Sequence, residues 1–244
     1  PSRYEPGWGA MTAKPGRLYL LVWDWPGRDF VVYGLKNKVR KVRLLADPRK
    51  SLTFAQTRDR AAGLDILTLE LPAKAPDKYC SVIALDIEGK PRMDPSLLQQ
   101  SDGRIMLESH NAAAHSLQGK PPLLVGRFGT MDRWSPGAAL GWQVKVARPG
   151  LFEVHVLTQT GREGDWKGGQ KVRFSVNGAV LAGTLKEHAR VLNPKAPTHL
   201  PDVVCKLGRI AVEKPGPIEL RLTLEEPAPR AELKVRAVRL TPIS

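Results

Sequence analysis

Among the 244 residues, the six tryptophans and the basic side chains have the most chemistry to offer a partner. A pyranose ring presents flat C–H surfaces. Sugar recognition therefore needs an exposed aromatic face with a few fixed polar groups beside it. Trp134, in GTMDRWSPG, and Trp166, in REGDWKGGQK, have that setting: each sits in a polar, glycine-bearing loop, where an indole is costly to leave exposed without use. Phe128 is a weaker candidate of the same kind. Arg133, Arg162, Lys167 and His188 add charge in these loops and in the long stretch 186–204, which suits an anionic glycan. The competing reading of both tryptophans is packing against the edge of a sheet. Trp142 opens an alternating strand and reads as core; Trp23, inside an apolar run, reads as core too. Trp25, before a proline, is compatible with either face.

Catalytic constellations are missing. GxSxG, HExxH and phosphate-loop patterns do not occur, and His110 and His115, five apart, are badly spaced for one strand face. Glycoside hydrolysis needs two carboxyl groups flanking the bond, about 5–5.5 Å apart for retention. The acidic pairs available, Asp24 with Asp29 and Glu163 with Asp165, read as turn residues. Cys80 and Cys205 are the two cysteines. Each lies in an apolar strand and reads as a buried free thiol, and no CxxC metal pattern exists.

The net charge is +14, which admits nucleic acid, an anionic membrane or an acidic polymer as partner. The densest cluster is Lys36, Lys38, Arg40, Lys41 and Arg43. On a strand it divides between two faces, and it reads as the solvated, protective decoration of an edge strand, with binding of a sulfated or uronic polysaccharide as the alternative. No nucleic-acid-binding motif accompanies it, so nucleic acid is not an expected partner. No apolar run approaches the roughly 20 residues of a membrane span. PSRYEPGWGA carries no charged-then-apolar signal, and a start at Pro1 fits a chain from which upstream residues have been removed.

These groups must be positioned by strands. Hydrophobic residues make up 42%, enough for real cores, and the 22 glycines and 21 prolines punctuate many short β runs. Strands are predicted near 8–13, 17–24, 30–33, 38–46, 51–56, 64–71 and 79–88, then a polar linker over 91–103. A second strand-rich region follows from 104 to 244. There, Trp142, Val144 and Val146 alternate, Pro149-Gly150 turns, and Phe152, Val154 and Val156 alternate again, which predicts a hairpin; Asn177-Gly178 predicts another. The fold class is all-β: two tandem antiparallel β-sandwiches, residues 1–90 and 104–244, the second jelly-roll-like in length and strand spacing.

LYxxVxDWP (Leu18 to Pro26), GL…V…LLAD (Gly34 to Asp47) and LxLPxxxPDxxxSVIALDIEG (Leu69 to Gly89) occur in that order. Over residues 7 to 90 the chain thereby resembles the C-terminal β-domain of α-L-fucosidases of glycoside hydrolase family 29. In that family the domain follows a catalytic (β/α)8 barrel of roughly 250 residues. This strand-patterned chain has no room for it, so no residue here inherits the nucleophile or the acid/base.

A second resemblance covers about 104 to 242. Glu108, then W-x-V-x-V-x-x-P-G-x-[FY]-x-V from Trp142, V-x-G at Val176, L-G-x-[IV]-x-[VL]-x-x-x-G from Leu207 and V-x-L-T-P from Val238 resemble the β-jelly-roll modules related to carbohydrate-binding families 6 and 35. Those modules open with paired acidic residues that help hold calcium and close with an Asn and an Asp. Here the opening is Glu108-Ser109-His110 and the closing strand reads Lys234-Val235-Arg236. Calcium takes six to eight oxygen ligands; its set is incomplete, and no cofactor is expected.

The resemblances imply a non-catalytic C-terminal region of a secreted or periplasmic α-L-fucosidase that hydrolyses α-L-fucosyl linkages with retention. Its partners would be the upstream barrel and a fucosylated or anionic glycan. The alternative is a structural or oligomerising module without a ligand.

Overall fold

The computed structural model describes residues 7–116, 122–125, 129–159, 166–191, 201–229 and 232–243. Apart from one 3-10 turn at Ser109–Asn111, the regular elements of these residues are all strands, and the chain divides into two compact units. The first comprises residues 1–102 with 145–147, the second 103–144 and 148–244.

The first unit begins β1 (Gly9–Lys14), β2 (Arg17–Val22), β3 (Asp29–Tyr33) and β4 (Val39–Leu44). It continues β5 (Asp47–Ser51), β6 (Phe54–Asp59), β7 (Leu64–Glu70), β8 (Ser81–Ile87) and the short β9 (Leu97–Leu98). One antiparallel sheet runs β1-β2-β8-β4-β5 and a second runs β3-β7-β6. Alternation decides the faces. Leu18, Leu20 and Val22 of β2, Val42 of β4 and Ile83 and Leu85 of β8 form one buried cluster with Phe30, Val32, Leu67 and Leu69 of the smaller sheet. The two sheets thus pack face to face, sandwich-like. Trp8 closes this core edge-on against Phe30, ring centroids 4.9 Å apart.

Three expectations about strands are corrected here. Trp23 is 60% exposed, because the inward positions of β2 are 18, 20 and 22 and residue 23 falls on the outward parity. The basic strand β4 is not an edge, since β8 and β5 pair with it on either side. Two of its charges are paired: Arg43 Nη2 meets one oxygen of Asp86 at 2.9 Å while Arg17 Nε of β2 meets the other at 2.7 Å, and Arg40 reaches Glu88 at 3.1 Å. The strand predicted at 51–56 is two strands, β5 and β6, separated at Leu52 and Thr53. Residues 91–102 belong to this unit, and Asp94, Leu98, Gln99 and Gln100 are buried in it.

The second unit contains β10 (Ile105–Glu108), β11 (Ala113–Ser116), β12 (Leu123–Val125), β13 (Thr130–Asp132), β14 (Ala138–Val146) and β15 (Gly150–Thr158). Then come β16 (Lys171–Val176), β17 (Ala179–Thr184), β18 (Ala189–Val191), β19 (Asp202–Val212), β20 (Gly216–Glu226) and β21 (Val235–Pro242). One sheet runs β12-β13-β21-β15-β19-β18, with β10 also on β21; the other runs β11-β14-β20-β16-β17. The inward residues Trp142, Val144, Phe152, Val154, Val156, Phe174, Leu220 and Leu222 are all buried.

The Asn177-Gly178 hairpin is present: β16 and β17 pair in full register around two residues at φ 45° and 94°, the left-handed pair that a two-residue turn of this kind requires. The hairpin predicted around Pro149-Gly150 is not present. β14 and β15 belong to different sheets, so the turn carries the chain from one layer to the other. The alternation on its two sides holds, but two consecutive strands with inward-facing sets can face one another across a core as well as lie side by side. In the stretch expected as a loop at 186–204, residues 189–191 form β18 on β19, whose first residues, 202–204, lie at the other end of that stretch.

Candidate functional site

The loop after β13 gathers the strongest set of sequence-predicted residues. Asp132 ends the strand and is buried. Its Oδ1 is enclosed without a hydrogen-bond partner, and Lys234 Nζ stands 3.9 Å from Oδ2. Burial pushes this carboxyl above its usual range, opposed by Lys234 and by a hydrogen bond from Thr130. Arg133 follows, exposed, at φ 60°. A left-handed arginine carries a backbone penalty of about 1–2 kcal/mol and is the sort of conformation retained at ligand sites. Trp134 is half-buried, and its Nε1 donates to the Met131 carbonyl at 2.7 Å, which fixes the plane of the indole.

Trp166 leads into β16. It is half-buried with its six-membered ring over Gly168, where a Cβ would lie 2.5 Å from the ring edge; Lys167 is exposed. Trp134 and Trp166 therefore hang from strands of different sheets. Phe128 and Arg162 lie outside the described residues, as do Glu163, Asp165 and His199.

His188 is exposed, and its backbone N–H donates to the Val204 carbonyl at 2.9 Å. Its ring lies 6.4 Å from that of His155, a buried residue of β15. His155 Nε2 is 3.4 Å from Glu153, which also pairs with Lys206. The structure thus joins His188 to His155, Glu153 and Lys206. The usable signal for this cluster is local: His155 stands between Val154 and Val156 in EVHVLT, and Arg239 between Val238 and Leu240 in VRAVRL, each a polar residue flanked by apolar ones.

The positions expected to hold part of a calcium set form an internal ion network. Arg236 Nε donates to Asp202 Oδ2 at 2.6 Å, and its Nη1 lies 3.2 and 3.4 Å from the two oxygens of Glu108. Gln159 Nε2 supplies the other Asp202 oxygen at 3.0 Å. A guanidinium sits where both carboxylates converge. Among the described residues, no group of three or more His, Cys, Asp or Glu side chains is arranged to hold a metal ion. Trp142 is buried as expected, its Nε1 donating to the Glu108 carbonyl at 3.0 Å. Both cysteines are free: Cys205 is buried, Cys80 only half so.

No family model matches the sequence, and no curated protein matches it. Solved structures do match the fold. An α-L-fucosidase from Vibrio sp. strain EJY3 superimposes with a TM-score of 0.66 at 20% identity over 96% of this chain. This chain spans 40% of that enzyme's length. The insecticidal δ-endotoxin Cry8Ea1 from Bacillus thuringiensis matches with a TM-score of 0.42 at 10% identity, over 84% of this chain and 30% of its own. A GH26-CBM35 β-(1,4)-mannanase of Podospora anserina gives 0.33 at 14%, over 59% and 28%. The class that fold and site define is an all-β, sandwich-like protein of two units, with a strand arrangement like that in the fucosidase. Among the described residues, no helix is long and apolar enough to cross a membrane.

Proposed function

We propose that this chain is the non-catalytic C-terminal region of an α-L-fucosidase-type glycoside hydrolase. In this reading the first unit supports a preceding catalytic barrel. The second is a jelly-roll module that binds glycan through the Asp132–Trp134 loop, with Trp166 and Lys167 as a further contact. The observation that carries the reading is the fold likeness to a solved α-L-fucosidase over 96% of the chain. The ordered motifs of residues 18 to 89 support it independently. Retaining hydrolysis of α-L-fucosyl bonds and a secreted or periplasmic location belong to the parent protein under this proposal. Phe128, Arg133, Arg162 and His188 remain candidate contacts to a fucosylated or anionic glycan.

The loop chemistry suits a sugar. The indole plane is fixed by its own hydrogen bond, and the exposed Arg133 next to it in sequence supplies donors. A second reading, a spacer without ligand, is favoured by the half-burial of both Trp134 and Trp166.

The test is a glycan array probed with the 244-residue chain, alongside hydrolysis of an aryl α-L-fucoside. The expected result is no hydrolysis, and binding to fucosylated glycans that Trp134→Ala abolishes while the melting temperature holds. Turnover of the fucoside would sink the non-catalytic reading. Absence of binding across the array would leave the spacer.

A further inference from the structure

A second surface of the same unit has a different chemistry. On the outward face of the sheet formed by β21, β15 and β19, His155 pairs in register with Arg239 on one side and Lys206 on the other. The alternate positions Val154, Val156, Val238 and Leu240 are fully buried in the core, so the row Arg239–His155–Lys206 points away from it. Arg209 lies opposite Glu153 in the next row and is exposed, as is Lys206.

Arg239 is the anomaly. It is half-buried, with its Nε enclosed and unpartnered. No ion pair or side-chain hydrogen bond of Arg239 is found among the described residues. Its charged neighbours include two more guanidiniums, Arg104 and Arg236, and the nearby carboxylate, Glu153, is engaged by Lys206 and His155. His155 Nδ1 is enclosed and unpartnered as well. A half-desolvated cation with no ion pair of its own among the described residues is unfavourable, and an anion delivered to it removes the penalty. Guanidinium is also the group that grips carboxylate and sulfate by paired N–H donors.

We propose that this outward face binds an anionic polysaccharide, with a sulfate or carboxylate group seated on Arg239 and its neighbours along the chain drawn to Lys206 and Arg209. A nucleic acid is the poorer fit. No Trp, Tyr or Phe occupies an outward position on the paired stretches of β21, β15 and β19, so bases would have no stacking platform. The site is defined by side chains of β21, β15 and β19 and uses neither Trp134 nor Arg133.

The test is titration calorimetry of the full chain with four probes at 50 and 300 mM salt: a heparin-derived hexasaccharide, an oligogalacturonate, a neutral fucosylated oligosaccharide and a short DNA duplex. One or both anionic oligosaccharides bind, and which of them binds separates sulfate from carboxylate. Arg239→Gln weakens that binding at least tenfold and leaves the melting temperature equal or higher, because it removes an uncompensated buried charge. Arg209→Gln, at an exposed position that cannot threaten folding, weakens it about threefold and lowers the salt dependence. Arg49→Gln in the first unit changes nothing. Unaltered binding by both the Arg239 and Arg209 variants overturns the proposal. So do equal losses in all three variants, the absence of binding to either anionic oligosaccharide, and duplex DNA bound as tightly as they are. Trp134→Ala, read with the neutral probe, reports separately on the glycan loop.

Discussion

Removing the guanidinium of Arg236 asks whether ions or packing hold the first and last strands of the second unit. Arg236 bonds Asp202 at 2.6 Å and Glu108 at 3.2 Å, and the three side chains are 13%, 3% and 16% exposed. Among the described residues, Arg236→Ala leaves Asp202 enclosed with one neutral donor, Gln159, and strips Glu108 of its ion-pair partner. Breaking a buried pair from one side costs about 3–5 kcal/mol. At about 2–4 °C per kcal/mol for chains of this size, the second unit's melting temperature falls by roughly 6–20 °C. Urea unfolding followed by near-ultraviolet circular dichroism gives the free energy. The paired change Arg236→Met with Asp202→Asn recovers part of the loss, because the uncompensated charge goes with its partner. Arg236→Ala also leaves two carboxylates facing one vacated space, so millimolar calcium raises its melting temperature and leaves the parent chain unmoved. A loss below about 1 kcal/mol, the range of an exposed pair, refutes the reasoning.

Burial first, then the charges of Arg239, His188 and Lys206, hold His155 below its ordinary pKa, with Glu153 opposing. Since the folded value lies below the unfolded one, this contribution to stability is whole above about pH 6.5 and is lost as pH falls from there through the folded value. Thermal melts between pH 8 and 5 should show that decline, and His155→Gln should flatten it; an unchanged slope counts against the assignment. Burial pushes the Cys205 thiol up to about 12. Iodoacetamide at pH 8 should then modify Cys80 in the native chain and Cys205 only in urea, with the peptides resolved by mass spectrometry; labelling of native Cys205 would contradict its enclosure. Phe30→Ala, at a fully buried position against Trp8, should cost about 3–5 kcal/mol in chemical denaturation of the first unit. A cost under about 1 kcal/mol would mean the core there is not tightly packed.

The strands were legible because a half-buried strand writes its own alternation, as in Leu18, Leu20 and Val22. Their neighbours were less so. Nothing local to β14 and β15 says whether they pair or stack, since both arrangements demand the same inward residues. The neighbours of β4 likewise depend on where β8 returns in the sheet, a contact set far along the chain. Trp23 ends an apolar run, yet its parity against Leu18, Leu20 and Val22 puts it on the outward face. At the candidate sites, the loop tryptophans stood out by composition, but Asp132 did not. Its interest lies in an enclosed, unpartnered oxygen, which only three-dimensional packing creates. Arg239 and His155 were visible as outward residues, yet their adjacency across three strands needed the register.

The pairing of β10 with β21 has a consequence in time. Ile105 lies opposite Leu240, so the second unit's sheet is completed by contacts between its opening and closing strands. Each such contact closes nearly the whole unit as a loop, which slows the search for the native arrangement. During synthesis all of β1 to β8 of the first unit emerge before any strand of the second. The second must wait for its last strand, with β15 lacking its β21 neighbour until then. In that interval β15, from Phe152 to Leu157, offers an unpaired apolar edge. Chaperone dependence and losses to aggregation during expression should therefore concentrate in this half of the chain.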